Sequence, residues 1–215
     1  VDSAQLGNRE YRFGGKEFGK GAWYGLSKDY NNIGMITYNK EMLKAAGVPF
    51  PSETEPMTYD ELYELGKKLT KRDKSGKVSQ WGYDLHSGWH NFLASDMAYM
   101  SGVSFYTDDT KSVMSNDPKM REIWKYWARW SLEDITPNVE NPAPSWTGAN
   151  FQSDRSAIVQ LGYWYGAQLR TNPNFEEKYG WAPTPVLVKG GERVTDTLGA
   201  TGVCMYAKTK VPDQA

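Results

Sequence analysis

The chain has 215 residues, a formal net charge of −1, one cysteine and 39% hydrophobic residues. That length holds one large domain or two small ones and can bury roughly 70% of the unfolded surface, so folding needs neither disulfides nor a metal. A single cysteine excludes an internal disulfide framework and a cysteine-only zinc site, near-neutral charge argues against a nucleic-acid or polybasic membrane role, and no apolar run approaches the ~20 residues of a membrane span.

Val1 to Ala22 is polar and glycine-rich, which predicts loop or extended chain. Gly34 to Tyr38 suits a short strand, after which Asn39 can cap a helix over Lys40–Ala46 that Gly47 and Pro49 stop. Thr58 and Glu61 form a capping box, opening a helix with Leu62, Leu65 and Leu69 on one face and Lys67, Lys68 and Lys71 near its C-terminal end. Asp73–Lys77 reads as a polar turn without the acidic spacing of a calcium loop. A strand is expected over Trp81–Leu85. Trp89, Phe92, Leu93, Met97 and Met100 are spaced for a helix that Gly102 can end, and Phe105–Asp109 resembles a small hairpin edge.

Asn116-Asp117-Pro118 starts a further helix, whose stripe is expected to be Met120, Ile123, Trp124, Trp127 and Ser131, with Trp130 lying off it. Glu140 to Gly148 reads as a loop entering a short helix near Phe151. Ala157–Leu161 is a buried-type strand ending at Gly162, with Tyr163 and Trp164 at its C-terminal edge. Tyr179–Pro183 is short and extended, and Val203–Ala207 is read as another strand that would bury Cys204 as an inert thiol. Strands alternating with helices imply an α/β fold.

The chemistry of catalysis is sparsely signalled. His86 and His90 are four apart but lack the glutamate of the metalloprotease motif and a third ligand. There is no nucleophile elbow, phosphate-binding glycine loop or dinucleotide fingerprint. Carboxylates are plentiful enough that two could meet as a glycosidase pair, although Asp108-Asp109 and Glu133-Asp134 read more simply as exposed turn charges. The composition is unusual in its 9 Trp and 14 Tyr against 7 Phe. Trp and Tyr join a flat apolar ring to a hydrogen-bond donor and suit half-wet surfaces, as a sugar site requires, although each is equally at home in a core.

Four stretches, taken together and in order, resemble the extracellular solute-binding proteins of ABC importers, in the sugar-binding group that includes maltose-binding protein. Trp23–Ser27 followed by Tyr38–Gly47 is similar to that group's "YGLP…YNKDLFKKAG" passage. Met57–Leu62 resembles its "TWDEL", with Tyr59 for Trp. Phe151–Ile158 with Gly162-Tyr163-Trp164 resembles "F..GKAAM…G.W", and Trp181–Pro185 with Gly199–Gly202 resembles "PLP…GG.G". Ser153-Asp154-Arg155 replaces the usual Gly-Lys turn, and Ser27 stands where proline is common.

The resemblance implies a type II periplasmic-binding-protein-like fold, with two α/β lobes, crossing strands and a ligand in the cleft between them. It assigns 1–29 to a first-lobe remnant and crossing, 30–182 to the second lobe, 183–206 to a first-lobe return and 207–215 to the start of a second-lobe return, so that the chain reads as an internal fragment. The implied role is capture of a sugar or oligosaccharide for ABC permease membrane subunits, by a periplasmic or extracellular monomer, lipid-anchored in its full-length form. No catalysis, cofactor, metal or nucleic acid is expected. By the same resemblance Trp164 is the first stacking candidate and Trp89 the second. Tyr30, Asn31 and Asn32 at the crossing could bind hydroxyls, Tyr163 and His86 are weaker candidates, and Gly199 and Thr201 would line the first lobe's side. The alternatives are a glycoside hydrolase fragment or a binding protein for a peptide or polyamine.

Overall fold

A computed structural model of the chain describes residues 12–13, 22–31, 35–85, 90–103, 117–191 and 199–214. In chain order the elements are β1 (Arg12–Phe13), β2 (Ala22–Trp23), β3 (Leu26–Asn31), β4 (Met35–Asn39), α1 (Lys40–Ala45), α2 (Tyr59–Leu69), β5 (Lys71–Arg72), β6 (Val78–Asp84), α3 (His90–Met100), α4 (Pro118–Leu132), α5 (Thr147–Gln152), β7 (Ser156–Leu161), α6 (Tyr165–Leu169), α7 (Phe175–Lys178), β8 (Tyr179–Ala182) and β9 (Gly199–Val203), with a 3-10 turn at Pro212–Gln214. The predicted hairpin at 105–109 lies outside the described residues. The chain divides into two compact units, Val1–Asn32 with Thr197–Ala215, and Ile33–Asp196.

In the smaller unit β1 pairs with β2, and β3 pairs antiparallel with β9, Leu26 opposite Val203 and Asn31 opposite Gly199. The last strand therefore sits four residues earlier than the apolar run Val203–Ala207 suggests. Its partner begins at Leu26, so Val203 is the last residue with a cross-strand neighbour. Cys204 lies past that end and is exposed, which overturns the expectation of a buried thiol.

The larger unit is a mixed α/β structure on a five-stranded sheet ordered β5-β6-β7-β4-β8. Only β6 and β7 are parallel, and the other neighbours are antiparallel. All six residues of β7 are buried, as expected for a central strand covered on both faces. On one side lies the main core, with Ile36, Tyr38, Leu62, Tyr83, Met97, Ile123, Trp127, Trp130 and Ile158. On the other Phe151, Val159, Leu161, Tyr165, Leu169 and Tyr179 form a second cluster. Helices α1 to α4 supply the first core and α5 to α7 the second, giving three layers.

Helix starts follow local chemistry. The Asn39 side chain accepts from the Glu41 and Met42 amides at 3.0 and 3.1 Å. Thr58 and Glu61 close the capping box at 3.1 and 2.7 Å. Asp117 caps the Lys119 amide at 2.7 Å, with Pro118 in the first turn. Helix α2 ends at Leu69, so Lys71 begins a strand rather than closing the helix. Helix α2 lies directly on β6, because Gly82 has no side chain: a Cβ there would overlap the Gly66 carbonyl.

Helix α4 corrects the predicted stripe. Met120, Ile123, Trp127 and Trp130 are buried, while Trp124 is 36% exposed. Trp130 follows Ile123 by seven residues, within about 20° on the helix surface, so the buried stripe runs toward that side. The Trp130 ring then meets Tyr83 at 4.7 Å and Tyr63 at 5.2 Å.

A buried carboxylate ties the layers at the end of β6. Asp84 accepts from Thr147 Oγ1 at 2.9 Å, Asn150 Nδ2 at 2.9 Å and Ser156 Oγ at 3.0 Å. Asn150 Nδ2 also donates to the Ser145 carbonyl at 2.8 Å, which fixes the chain on either side of Trp146. Hydrogen bonds to charged groups are the stronger class, and a donor stripped of its buried acceptor bears its full desolvation cost.

Two stability outcomes follow, both read by urea denaturation. Trp130→Ala is expected to cost about 3–5 kcal/mol and Trp124→Ala less than about 1 kcal/mol; equal losses would mean the stripe is misassigned. Asp84→Ala is expected to cost about 3 kcal/mol or more, because three buried donors lose their acceptor together. A loss under about 1 kcal/mol would show that the carboxylate does not hold the layers.

Candidate functional site

Strand direction gathers several chain ends at one edge of the larger sheet. The parallel strands β6 and β7 both finish there. Strand β4 begins there, with Met35 opposite Leu161, and β8 ends there, with Ala182 opposite Ile36. With the sheet faces covered by helices, this edge is where backbone and side chains are left to meet a ligand, as in open α/β sheets generally.

A groove of about 490 Å³ opens at this edge, lined by Met35, Tyr163, Trp164, Gly166, Ala167, Arg170, Phe175 and Trp181. Tyr163 and Trp164 follow Gly162 as β7 turns into α6. Tyr163 is 62% exposed, and Trp164 is half-buried. The floor of the groove is the start of α6, where Tyr163, Gly166, Ala167 and Arg170 share one face through their three- and four-residue spacing. A Cβ on Gly166 would meet nothing within 4 Å, so the groove is open over that residue. Phe175 and Trp181 close the far side, their ring centroids 5.2 Å apart. A neighbouring depression of about 400 Å³ shares Met35 and Trp181 and adds Glu53, Ala182 and Pro183.

The Trp164 ring is held by two aromatic neighbours. Trp146 stacks near it at 6.4 Å with planes 22° apart, and Tyr165 meets it edge-on at 5.9 Å. Trp146 in turn lies over Gly148, where a Cβ would overlap the indole. The Tyr165 hydroxyl donates to the Gly148 carbonyl at 2.6 Å. Burial raises the Tyr165 phenol well above its ordinary pKa, with Tyr179 and Asp84 adding to the effect, so it remains a neutral donor. Through Asn150, Thr147 and this hydroxyl, the turn that carries Trp146 is fixed to the sheet on which Trp164 sits.

The candidate residues from the sequence separate into three sets. Tyr163 and Trp164 come together on the groove. Tyr30 and Asn31 lie in β3, in register with Ala200 and Gly199, while Thr201 sits one pair further along, opposite Asp29. Asn32, His86 and Trp89 lie outside the described residues. Sequence reasoning missed Trp146, Arg170, Phe175, Trp181 and Met35. Trp146 carried a usable signal, being a large ring inside a loop of Pro, Ser and Asn. Arg170 carried none, since only the fold of α6 brings it to the groove.

A larger depression of about 520 Å³ lies between α3 and α4, lined by Met97, Ser101, Pro118, Lys119, Glu122, Ile123 and Leu187, and it has no strand-end residue. Among the described residues no group of three or more His, Cys, Asp or Glu is placed to hold a metal ion, and no helix is long and apolar enough to cross a membrane.

Solved structures with this fold are numerous. The ABC substrate-binding protein Lmo0181 from Listeria monocytogenes, in complex with cycloalternan, matches with a TM-score of 0.69 at 20% identity, over 96% of this chain and 48% of that one. An ABC transporter solute-binding protein from Agrobacterium vitis S4 with bound D-mannitol matches with 0.68 at 21% identity, over 91% and 46%. One from Thermotoga lettingae bound with α-D-tagatose matches with 0.65 at 20% identity, over 89% and 47%. The chain thus spans about half the length of these structures. A comparison with curated proteins gives no match. The family model described as bacterial extracellular solute-binding protein matches residues 12–215. With that match running through the strand-end groove and both units, the chain belongs to the bacterial extracellular solute-binding protein family.

Proposed function

We propose that this chain is the solute-capturing component of an ABC importer and binds a sugar or oligosaccharide outside the cytoplasmic membrane. The observation that carries the reading is the groove at the strand ends, where the Trp164 ring, an exposed Tyr163 and an open space over Gly166 lie together. The ligands named with the three relatives support it, since each is a sugar or a sugar alcohol.

Magnitudes bound what the rings can do. A sugar face stacked on one ring buries about 50 Å² of apolar area, worth about 1 kcal/mol. Micromolar binding needs about 8 kcal/mol before association costs. Stacking therefore selects flat apolar faces, and hydrogen bonds to hydroxyls supply most of the remainder. Trp89, His86, Tyr30, Asn31, Asn32, Gly199 and Thr201 are the proposed further contacts, and the two units are read as parts of the two lobes that the family resemblance implies.

In this reading no bond is made or broken. The partners are the membrane subunits of an ABC permease, and the site of action is periplasmic or extracellular, with a monomeric, lipid-anchored protein as the working form. The membership of a family of binding proteins favours this over a glycoside hydrolase, which would turn over a chromogenic glycoside instead of only being stabilised by it.

Three outcomes test the reading in the natural full-length protein. In a thermal-shift panel, sugars are expected to raise Tm where amino acids, peptides and polyamines do not; stabilisation by polyamines or peptides alone would overturn the sugar assignment. By calorimetry, Trp164→Ala is expected to weaken sugar binding about fivefold or more, and wild-type affinity in that variant would remove Trp164 from the site. Gly166→Leu, which places a side chain in open space, is expected to block binding while leaving Tm within a few degrees of the parent.

A further inference from the structure

We infer that the groove selects an anionic sugar, one that carries a carboxylate or phosphate beside a flat apolar ring face. The inference rests on the sugar-binding reading above and is carried by Arg170. Among the described residues lining the groove this is the one charged side chain. It is exposed, and it makes no side-chain hydrogen bond or ion pair among the described residues. Its guanidinium instead lies 5.8 Å from the centre of the Phe175 ring.

That placement suits recognition better than a free surface arginine would. A guanidinium resting against an aromatic ring has lost part of its rotational freedom, while an exposed one keeps its N–H groups available to a ligand. The fork matches the two oxygens of a carboxylate or phosphate in a bidentate pair. Arg170 lies on the same face of α6 as Gly166 and Ala167, whose small side chains leave room between it and the Trp164 ring. A ligand that fills the groove beside Trp164 therefore shares it with the guanidinium.

The groove also has polarity along its length. Past the shared residues Met35 and Trp181, the neighbouring depression carries Glu53, a group that accepts from hydroxyls and repels anions. The two ends thus orient the ligand, the anionic group toward α6 and the hydroxyl-rich end toward Glu53. This goes beyond the neutral sugars named with the three relatives above.

The test is calorimetry on the natural full-length protein, with the wild type, Arg170→Gln and Arg170→Lys, against a digalacturonate, glucose 6-phosphate and a neutral disaccharide. At least one of the two anionic probes is expected to bind the wild type ten- to a hundredfold more tightly than the neutral disaccharide. Which one does so tells a carboxylate ligand from a phosphate. In Arg170→Gln that advantage is expected to collapse to within threefold, and Arg170→Lys is expected to keep part of it, since a point charge replaces the fork. The advantage should also shrink as salt rises.

Equal affinity for neutral and anionic sugars, or an anionic preference that survives in Arg170→Gln, would overturn the inference and leave the sugar-binding reading standing. Binding of no saccharide at all would overturn both.

Discussion

The constraint on which the larger unit depends is the complete burial of β7. A strand with no exposed residue has to be covered on both faces, and every one of its backbone groups must find a partner within the sheet. Strands β4 and β6 supply those partners on either side, and two separate sets of helices supply the cover. Once both faces are closed, the chain of the central strands reaches solvent at the strand ends. Gly162, Tyr163 and Trp164 are the first residues beyond that buried run, so they emerge at the edge where a ligand can reach them. The site is in this sense a consequence of the core.

Many of the Trp and Tyr residues of the larger unit fall into these two settings. Trp81, Trp127 and Trp130 are buried, and Tyr63, Tyr83 and Tyr126 pack around Trp130 through edge-on and tilted ring contacts. Trp146, Trp164 and Trp181 lie half-buried or exposed on the other side of the sheet, toward the groove. The buried rings build a wide core from few residues. The partly exposed ones are held by ring contacts with one another, with Tyr165 and with Phe175, which leaves them less freedom than isolated surface rings.

The departure from the family pattern at Ser153-Asp154-Arg155 has a local explanation. Asp154 adopts a left-handed conformation, φ 58°, where the usual glycine has no steric cost. Its carboxylate compensates by accepting from Asn39 Nδ2 at 2.9 Å and from Lys178 Nζ at 2.8 Å. Asn39 uses its other side-chain atom to cap α1. One substitution therefore joins the turn before β7, the start of α1 and the end of α7, which a glycine could not do.

Much of the local structure was legible in the sequence, because its causes are local. The caps at Asn39, Thr58 and Asp117, the stops at Gly47 and Gly102 and the buried strand at Ala157–Leu161 each depend on residues within a few positions of one another. The end of that strand at Gly162 likewise put Tyr163 and Trp164 at its C-terminal edge. What tertiary structure decided was everything that depends on a distant partner. The stripe of α4 turned toward Trp130 because Tyr63 and Tyr83 wait there. The last strand stopped at Val203, with Cys204 left exposed, because its partner begins at Leu26. Trp146 was drawn from a polar loop to the Trp164 ring, since Asp84, more than sixty residues earlier, holds that loop. Arg170 reached the groove only through the winding of α6. Sequence alone determined the family and the elements whose causes are local, whereas the choice of which strands and side chains face one another came from packing, a property of pairs that no single stretch of chain contains.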